Sequence, residues 1–328
     1  MKNICKKLAL LAIPVGLYLA FFIVFEPNNY FGLKRAAGST QPVARVRAWQ
    51  ADPGEYLILG DSRLAHFDLE LARQASGKPW QNLAFGGASL RETIDLANYV
   101  LDSDSPPREL LVGLSFYTLN AGYDTDRMSA LQDTLNNPLA YIFNLEYNVN
   151  ALTGFTNWLG WLRQRAAGAT DLTWAKAQVE HETAEWTAED YVGADGQPLA
   201  LHRALAEYPA VIAPKCQNWQ LNTAMVYKLE ALAARCQAEG VRLTIVLPPM
   251  ADNVKAEVCD VYGITEEMEA FLPTLAAWQE TYGVTVLDYE WAGRPDFDDD
   301  RQFYDGFHLD TTYGLPQWTQ QLFGALQD

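Results

Sequence analysis

Short apolar runs alternate with segments of helical periodicity, and this alternation limits the possible folds more than any other feature. The run Tyr56–Leu59 precedes a helical pattern over residues 64–75. A second short unit, residues 80–89, leads into the helix-like residues 90–101, and Glu109–Ser115 is a third apolar run. Such a βαβαβ pattern is typical of a parallel sheet with helices on its faces. We therefore predict an α/β fold of three layers, with a parallel sheet between helices.

The alternation of predicted strands and helices is interrupted from about residue 120 to about residue 215, where helical stretches rich in tryptophan occur. Beyond this stretch it resumes with two helix–strand pairs, residues 222–238 with 241–247 and residues 265–282 with 284–289. Gly240 and Gly283 follow the two helices at the position that a left-handed cap requires. We predict one domain over residues 51–328 that carries a helical insertion.

The N-terminal segment contains eighteen uncharged residues, Leu8–Phe25. At about 1.5 Å per residue they extend roughly 27 Å, close to the thickness of a bilayer core. Lys2, Lys6 and Lys7 precede the run, which favours a cytoplasmic N-terminus. We interpret residues 1–25 as a cytoplasmic tip and single-pass membrane anchor, with a cleaved signal peptide as the alternative. Residues 26–50 are predicted to be a linker to an extracytoplasmic C-terminal domain.

The charge balance excludes one class of partner. The chain has 24 basic and 41 acidic residues, a net charge of −17. Without residues 1–35 the remainder holds 19 basic and 40 acidic residues, a net charge of −21. Because the phosphate backbone of a nucleic acid would be repelled, DNA and RNA are not expected partners.

The cysteines and the acidic run at Asp298–Asp300 give no metal signature. The four cysteines show neither CxxC nor Cys/His spacing, and they are Cys5, Cys216, Cys236 and Cys259. At most one disulfide can join two of the last three, and the pairing stays open. The acidic run is interpreted as a solvated loop rather than a calcium site, because no regular ligand spacing follows. No metal or cofactor is expected.

A candidate nucleophile, Ser62, lies in Gly60-Asp61-Ser62 directly after the first predicted strand. In an open parallel sheet this is the edge where ligands bind, although these residues are also common in ordinary turns. A serine nucleophile needs a base, and the chain has four histidines: His66, His181, His202 and His308. Only His308 has a carboxylate, Asp305, three residues before it. Asp305 can accept from one ring nitrogen while the other nitrogen faces Ser62, and the alternative for His308 is a partly buried residue capping the last helix.

An acyl-transfer site also needs donors for the tetrahedral oxyanion, each commonly worth about 3–4 kcal/mol. The backbone N–H of Ser62 is the first candidate. Gly87, in the segment Asn82–Gly87, is the second, because a glycine lets the backbone approach a substrate closely. The alternative for Gly86-Gly87 is an ordinary loop before a helix.

In this order, the Gly60-Asp61-Ser62, Asn82–Gly87 and Asp305–His308 elements resemble those of the SGNH, or GDSL-type, hydrolases. The resemblance covers about residues 55–115 and 240–328. It implies a flavodoxin-like α/β fold in which Ser62 is the acyl nucleophile. It also implies that Asp305 and His308 complete the triad and that Gly87 is an oxyanion donor.

One family element departs from the pattern. The G-x-N-D block after the third strand reads Gly113-Leu114-Ser115-Phe116 here. Ser115 therefore replaces the oxyanion asparagine of the family, unless Asn120 substitutes for it from further along the chain.

A membrane anchor followed by such a domain resembles the envelope O-acylation subgroup, similar to the D-alanyl transfer protein of teichoic acid modification and the alginate O-acetylation proteins. The resemblance implies a multi-pass membrane-bound O-acyltransferase as partner and an envelope polymer as acceptor. We therefore expect an O-acyltransferase of the cell envelope. The alternatives are a membrane-tethered carbohydrate esterase with the same triad and a non-catalytic envelope assembly protein.

Overall fold

The computed structural model describes residues 2–33, 41–166 and 200–327, without the side chains of residues 2–11, 164 and 200–203. The described residues form two compact units. The helical unit contains those within residues 1–51 and 129–184, and the sheet unit contains those within residues 52–128 and 185–328. Each unit is considered by itself.

In chain order the helices are α1 (Lys2–Phe25), α2 (Pro42–Ala51), α3 (Leu69–Ser76), α4 (Leu90–Leu101), α5 (Met128–Asn136), α6 (Pro138–Ile142), α7 (Leu145–Ala166), α8 (Ala200–Cys216), α9 (Thr223–Glu239), α10 (Asp252–Val254), α11 (Ile264–Tyr282), α12 (Asp299–Gln302) and α13 (Gly314–Gly324). The strands are β1 (Tyr56–Leu59), β2 (Trp80–Asn82), β3 (Glu109–Gly113), β4 (Arg242–Leu247) and β5 (Thr285–Asp288). A π-helical turn, Lys255–Cys259, continues α10.

The five strands form one all-parallel sheet in the order β2-β1-β3-β4-β5. In its register Ile58 lies beside Asn82 on one side and beside Leu111 on the other. The chain order reverses at β1, so the carboxyl ends of β1 and β3 diverge into a crevice of the kind that binds ligands in open α/β sheets. The sheet therefore places whatever follows β1 at this crevice.

Helices cover both faces of the sheet. Ile58, Leu111 and Val246 contribute to one core together with Trp318 and Phe323, which brings α3 and α13 onto that face. Side chains alternate along a strand, so Leu57 and Leu110 point to the other face, where α4 and α9 pack. Burial on both faces explains why the strands read as continuous apolar runs. The predicted α/β fold with a parallel sheet flanked by helices is confirmed.

The helix predicted over residues 64–75 begins later than expected. Residues 62–66 form turns, and α3 starts only after Asp68. The Asp68 carboxylate accepts from the N–H groups of Glu70 and Leu71, at 2.9 and 3.1 Å. This N-cap satisfies donors that a helix start leaves unpaired, and it therefore fixes the first turn there.

The predicted linker, residues 26–50, is partly folded into the helical unit. Val43, Val46 and Trp49 of α2 are buried, because their spacing of three places them on one face. Tyr30 is buried as well and stacks on Tyr141 with ring centroids 4.0 Å apart. The described part of this segment is thus packed rather than a bare stalk.

The predicted insertion, residues 120–215, is divided between the units. Residues 120–128 and 200–215 belong to the sheet unit, whereas residues 129–166 belong to the helical unit. Residues 167–199, which include His181, lie outside the described residues. The side chain of His202 is also outside them.

The uncharged run of residues 8–25 lies within α1, which continues through Pro14. Among the residues that the structure describes, none of the helices combines the length and the hydropathy needed to cross a bilayer. The membrane anchor stays a prediction.

Three of the four cysteines are buried and unpaired in the sheet unit: Cys216, Cys236 and Cys259. The disulfide that the sequence left open among them does not form. Burial raises the pKa of the Cys216 thiol to about 11 and that of Cys236 to about 12. These thiols are therefore protonated near neutral pH.

Gly60 allows β1 and β3 to approach each other below the crevice. Its φ is +149°, and a Cβ on it would lie 3.2 Å from the Cα of Gly113. We predict that Gly60→Ala lowers the free energy of unfolding by about 1–3 kcal/mol, the usual cost of a backbone conformation that L-residues rarely adopt. Equilibrium urea denaturation of the purified chain, followed by tryptophan fluorescence, measures it.

The matched control is Gly324→Ala in α13, where an added Cβ meets nothing within 4 Å. It should unfold at the same urea concentration as the unmodified chain or slightly above it. Equal midpoints for Gly60→Ala and Gly324→Ala would contradict the close approach.

Candidate active site

Ser62 lies three residues beyond the end of β1, in the turn at the carboxyl edge of the sheet. Two local hydrogen bonds shape this turn, from Leu64 N–H to Asp61 O and from Ala65 N–H to Ser62 O, both 3.2 Å. Asp61 and Arg63 are buried, whereas Ser62 is only partly covered. The turn therefore presents the serine side chain between two buried neighbours.

His308 lies in the loop between α12 and α13. An antiparallel bridge between Phe303 and Leu309 closes this loop, and Tyr304 N–H donates to His308 O at 2.8 Å. Gly306 O accepts from Ala251 N–H at 3.0 Å, which ties the loop to the segment after β4. The position of the histidine is thus fixed by backbone hydrogen bonds.

The same loop needs a glycine between the two polar side chains. A Cβ on Gly306 would lie 2.3 Å from Cγ2 of Val254 and 2.5 Å from Cδ1 of Tyr208. Both distances are far below van der Waals contact. Packing therefore requires glycine at position 306, between the polar residues Asp305 and His308.

The structure brings Ser62, His308 and Asp305 together. Ser62 Oγ lies 2.8 Å from His308 Nε2, across 246 positions of sequence. His308 Nδ1 lies 2.9 Å from Asp305 Oδ2. Because a carboxylate can only accept, Nδ1 carries the proton, and Nε2 is left to accept from the serine hydroxyl. This is the arrangement in which an imidazole acts as a general base on a serine.

Asp305 is itself held by the backbone. Its Oδ1 accepts from the N–H groups of Phe307 and His308, both at 2.8 Å. The residue is 7% exposed, so its carboxylate has few competing water contacts. Two backbone donors thus orient the carboxylate that orients the imidazole.

Gly87 lies in the loop that follows β2, the strand next to β1. Phe85 N–H donates to Gly60 O at 3.0 Å, which attaches the start of this loop to the residue two positions before Ser62. Gly87 has a φ of +64°, in the region that favours glycine. Among the described residues, the Gly87 and Ser62 N–H groups donate to no other group. Both are therefore available to an oxyanion.

Arg127 fixes the orientation of the Gly86–Gly87 peptide. Its Nη1 donates to Gly86 O at 3.3 Å and its Nη2 to Gly87 O at 2.7 Å. Tyr123 OH also donates to Gly87 O, at 2.9 Å. In a trans peptide the C=O and the following N–H point in opposite directions. Holding Gly86 O therefore sets the direction of the Gly87 N–H.

A buried glutamate, Glu92, holds Arg127 in place. Glu92 Oε1 accepts from Arg127 Nε at 2.7 Å, and Glu92 Oε2 accepts from Ser89 N–H at 2.9 Å in a capping box. Burial opposes ionisation, but the hydrogen bonds from Arg127 and Ser89 prevail and lower the pKa of Glu92. The guanidinium thus has a charged partner that is fully buried.

Ser115 and Asn120, the candidates for a third oxyanion donor, are engaged elsewhere. Ser115 Oγ donates to Asp61 Oδ2 at 3.2 Å, and its N–H donates to Thr118 Oγ1. Asn120 is 4% exposed and its Nδ2 donates to Lys215 O at 3.0 Å. Both side chains thus hydrogen-bond to other parts of the sheet unit. The expectation that one of them replaces the family's asparagine stays a prediction.

The two chain neighbours of Ser62, Asp61 and Arg63, belong to a buried network of charged and polar side chains. Arg63 Nη2 lies 2.9 Å from Glu290 Oε1, and its Nη1 donates to Pro248 O at 3.2 Å. Tyr117 OH donates to Asp61. Burial raises the pKa of Glu290 to about 7, against the opposing effect of Arg63. Burial and the Asp61 carboxylate raise the pKa of Tyr117, so its hydroxyl stays a donor.

Sequence reasoning missed these supporting residues, although some left a signal. Ser89 and Glu92 have the S-x-x-E spacing of a capping box just before a helix. Glu290 comes two residues after β5, at the same edge of the sheet as Ser62. Arg127 has no such signal, because its partners Gly86, Gly87 and Glu92 lie 35 to 41 residues away in the sequence.

Asp299, the middle residue of the acidic run, is tied into the sheet unit. Asp299 forms an ion pair with Arg294, and its Oδ2 accepts from Asp252 N–H at 2.6 Å. Within the described part of the chain, no group of histidine, cysteine, aspartate and glutamate side chains has an arrangement that could hold a metal ion.

No protein-family model matches the chain. Comparison with curated proteins also gives no match.

We predict that Arg127→Ala lowers kcat for hydrolysis of an activated acetyl ester by about 10- to 100-fold, somewhat less than the loss of an oxyanion donor itself. The reason is that the Gly86–Gly87 peptide can then rotate. The matched control is Arg108→Ala, which removes a solvent-exposed pair with Glu55. An unchanged kcat in Arg127→Ala, or an equal loss in the control, would contradict the assignment.

Proposed function

We propose that this chain is a serine O-acyltransferase of the cell envelope. An acyl group passes through an ester on Ser62 to a hydroxyl of a polysaccharide or polyol polymer. The observation that carries the proposal is the hydrogen-bonded series of Ser62, His308 and Asp305 at the carboxyl edge of a parallel sheet.

In the first half-reaction Ser62 Oγ attacks the acyl carbonyl while His308 Nε2 takes its proton. The oxyanion of the tetrahedral intermediate accepts from the N–H groups of Ser62 and Gly87. The intermediate collapses when the bond to the leaving group breaks and His308 returns the proton to that group. Asp305 stabilises the imidazolium that exists between these two steps.

In the second half-reaction a hydroxyl of the acceptor loses its proton to His308 and attacks the acyl ester on Ser62. The ester bond to Ser62 breaks, and the proton returns to Ser62 Oγ. The acceptor leaves as an acyl ester, and the enzyme regains its starting state. Water in place of the polymer hydroxyl would make the same residues an esterase.

Transfer to a polymer is supported by the combination of sequence elements. The order of the Gly60-Asp61-Ser62, Asn82–Gly87 and Asp305–His308 elements resembles that of SGNH hydrolases, and the uncharged residues 8–25 are predicted to form a membrane anchor. This combination resembles the envelope O-acylation proteins. A multi-pass membrane-bound O-acyltransferase would then supply the acyl group, and the chain would act on the outer side of the membrane.

A fluorophosphonate probe tests the nucleophile. We predict that it labels the unmodified chain, that Ser62→Ala abolishes the labelling, and that His308→Ala slows it by about 10³-fold or more. Ser105→Ala, at an exposed serine of the same unit, is the matched control and should label normally. Labelling that persists in Ser62→Ala would contradict the assigned nucleophile. No labelling of the unmodified chain would favour the non-catalytic alternative.

The acceptor is tested separately. The chain is incubated with an activated acetyl ester, with and without a neutral polysaccharide, and both free acetate and polymer-bound acetate are measured. We predict acetyl ester on the polymer, lost in Ser62→Ala. Rapid release of acetate with no acetylated polymer would instead identify the esterase.

A further inference from the structure

The helical unit contains a long stretch that is almost free of charge. Between Asp133 and Arg163 the only charged residue is Glu146 among 29 positions. At the 20% charged content of the whole chain, about six would be expected. A surface that faces water rarely has such a composition.

Large apolar side chains of this stretch are exposed in the helical unit. Leu139, Phe143 and Leu145 are 61%, 69% and 79% exposed, and they lie on α6, at its end and at the start of α7. Val149 and Leu152 continue from Leu145 at spacings of four and three, which forms one stripe along α7. We call residues 138–152 the apolar tip.

The start of α7 and the residues just before it lie alongside α1, about two turns before its end. Tyr18 stacks on Phe143, and its OH donates to Ile142 O at 2.7 Å. Phe25, the last residue of α1, contacts Trp158, with ring centroids 5.7 Å apart. The two helices therefore run in the same direction. Because Tyr18 precedes Phe25 by seven residues, the start of α7 lies about 10 Å before the end of the uncharged run.

Two backbone carbonyls at the break between α6 and α7 accept hydrogen bonds from side chains. Ile142 O accepts from Tyr18 OH and from Asn148 Nδ2, the latter at 2.8 Å. Asn144 O also accepts from Asn148 Nδ2, at 2.7 Å. Carbonyls at a helix end usually accept from water, whereas in lipid each must find a partner in the protein. These side-chain donors are therefore what an irregular segment in a bilayer requires.

We propose that the apolar tip inserts into the membrane leaflet at the Phe25 end of α1, so that acyl chains of the lipid cover its exposed face. A depth of about 10 Å agrees with the depth of interfacial helices. Glu146, its one charge, lies in the first turn of α7, where the N–H groups of the helix start stabilise a carboxylate. The proposal rests on the membrane anchorage by α1 and is independent of the acyl-transfer chemistry.

The test uses the full chain reconstituted in phosphatidylcholine vesicles. A cysteine is introduced in place of Leu145 and labelled with a polarity-sensitive fluorophore, with Cys5→Ser as background because the other three cysteines are buried. Quenching is measured with a nitroxide on the lipid acyl chain and with aqueous iodide. Leu17→Cys, on an exposed apolar residue of α1, and Asp133→Cys, on an exposed acidic residue of α5, are labelled in the same way.

We expect the lipid nitroxide, and not iodide, to quench the label at position 145, as it should at position 17. At position 133 we expect iodide, and not the nitroxide, to quench the label. If iodide quenches the label at position 145 while the lipid nitroxide quenches the label at position 17, α1 is in the membrane but the apolar tip is not. That result overturns the proposal for the tip. Protection of position 145 from both quenchers overturns it as well, in favour of a protein neighbour. Iodide quenching at position 17 refutes the anchorage itself, whereas fluorophosphonate labelling of the same vesicles reports on Ser62 separately.

Discussion

The hydrogen bond between Ser62 Oγ and His308 Nε2 is the interaction on which the functional account depends. It joins residues 246 positions apart, at 2.8 Å. The parallel sheet makes this possible, because the segments after its strands meet at one edge. Gly60 brings β1 close to β3 below the serine, and Gly306 lets the histidine loop pack against Val254. The polar contact is thus a consequence of close packing on both sides.

The surrounding residues keep this contact in one geometry. Backbone N–H groups hold Asp305, and Arg127 holds the carbonyls of Gly86 and Gly87. Donors fixed before the reaction need no reorganisation when charge develops on the substrate, which is the main source of electrostatic catalysis. The buried pair of Arg63 and Glu290 serves the same rigidity, since removing one partner would leave an uncompensated charge in the core.

Much of the fold could be predicted because local signals agreed with it. The helix at residues 90–101 matches α4, and Gly240 has the left-handed φ, +73°, that its cap position requires. Ser62 and His308 could be paired because few histidines compete and only His308 has a carboxylate three residues before it. The hydrogen bond from Asn120 to Lys215 O could not be predicted, because it depends on tertiary packing. Arg127 was missed for the same reason.

The central claim is that Ser62 carries the acyl group during turnover. The most direct measurement is mass spectrometry of the chain after brief reaction with an activated acetyl ester and an acid quench, followed by proteolysis. The account predicts an acetyl adduct on the peptide that contains Ser62, and its disappearance when an acceptor alcohol is added before the quench. An acetyl adduct confined to other residues, or turnover with no adduct on Ser62 at any time, would contradict it.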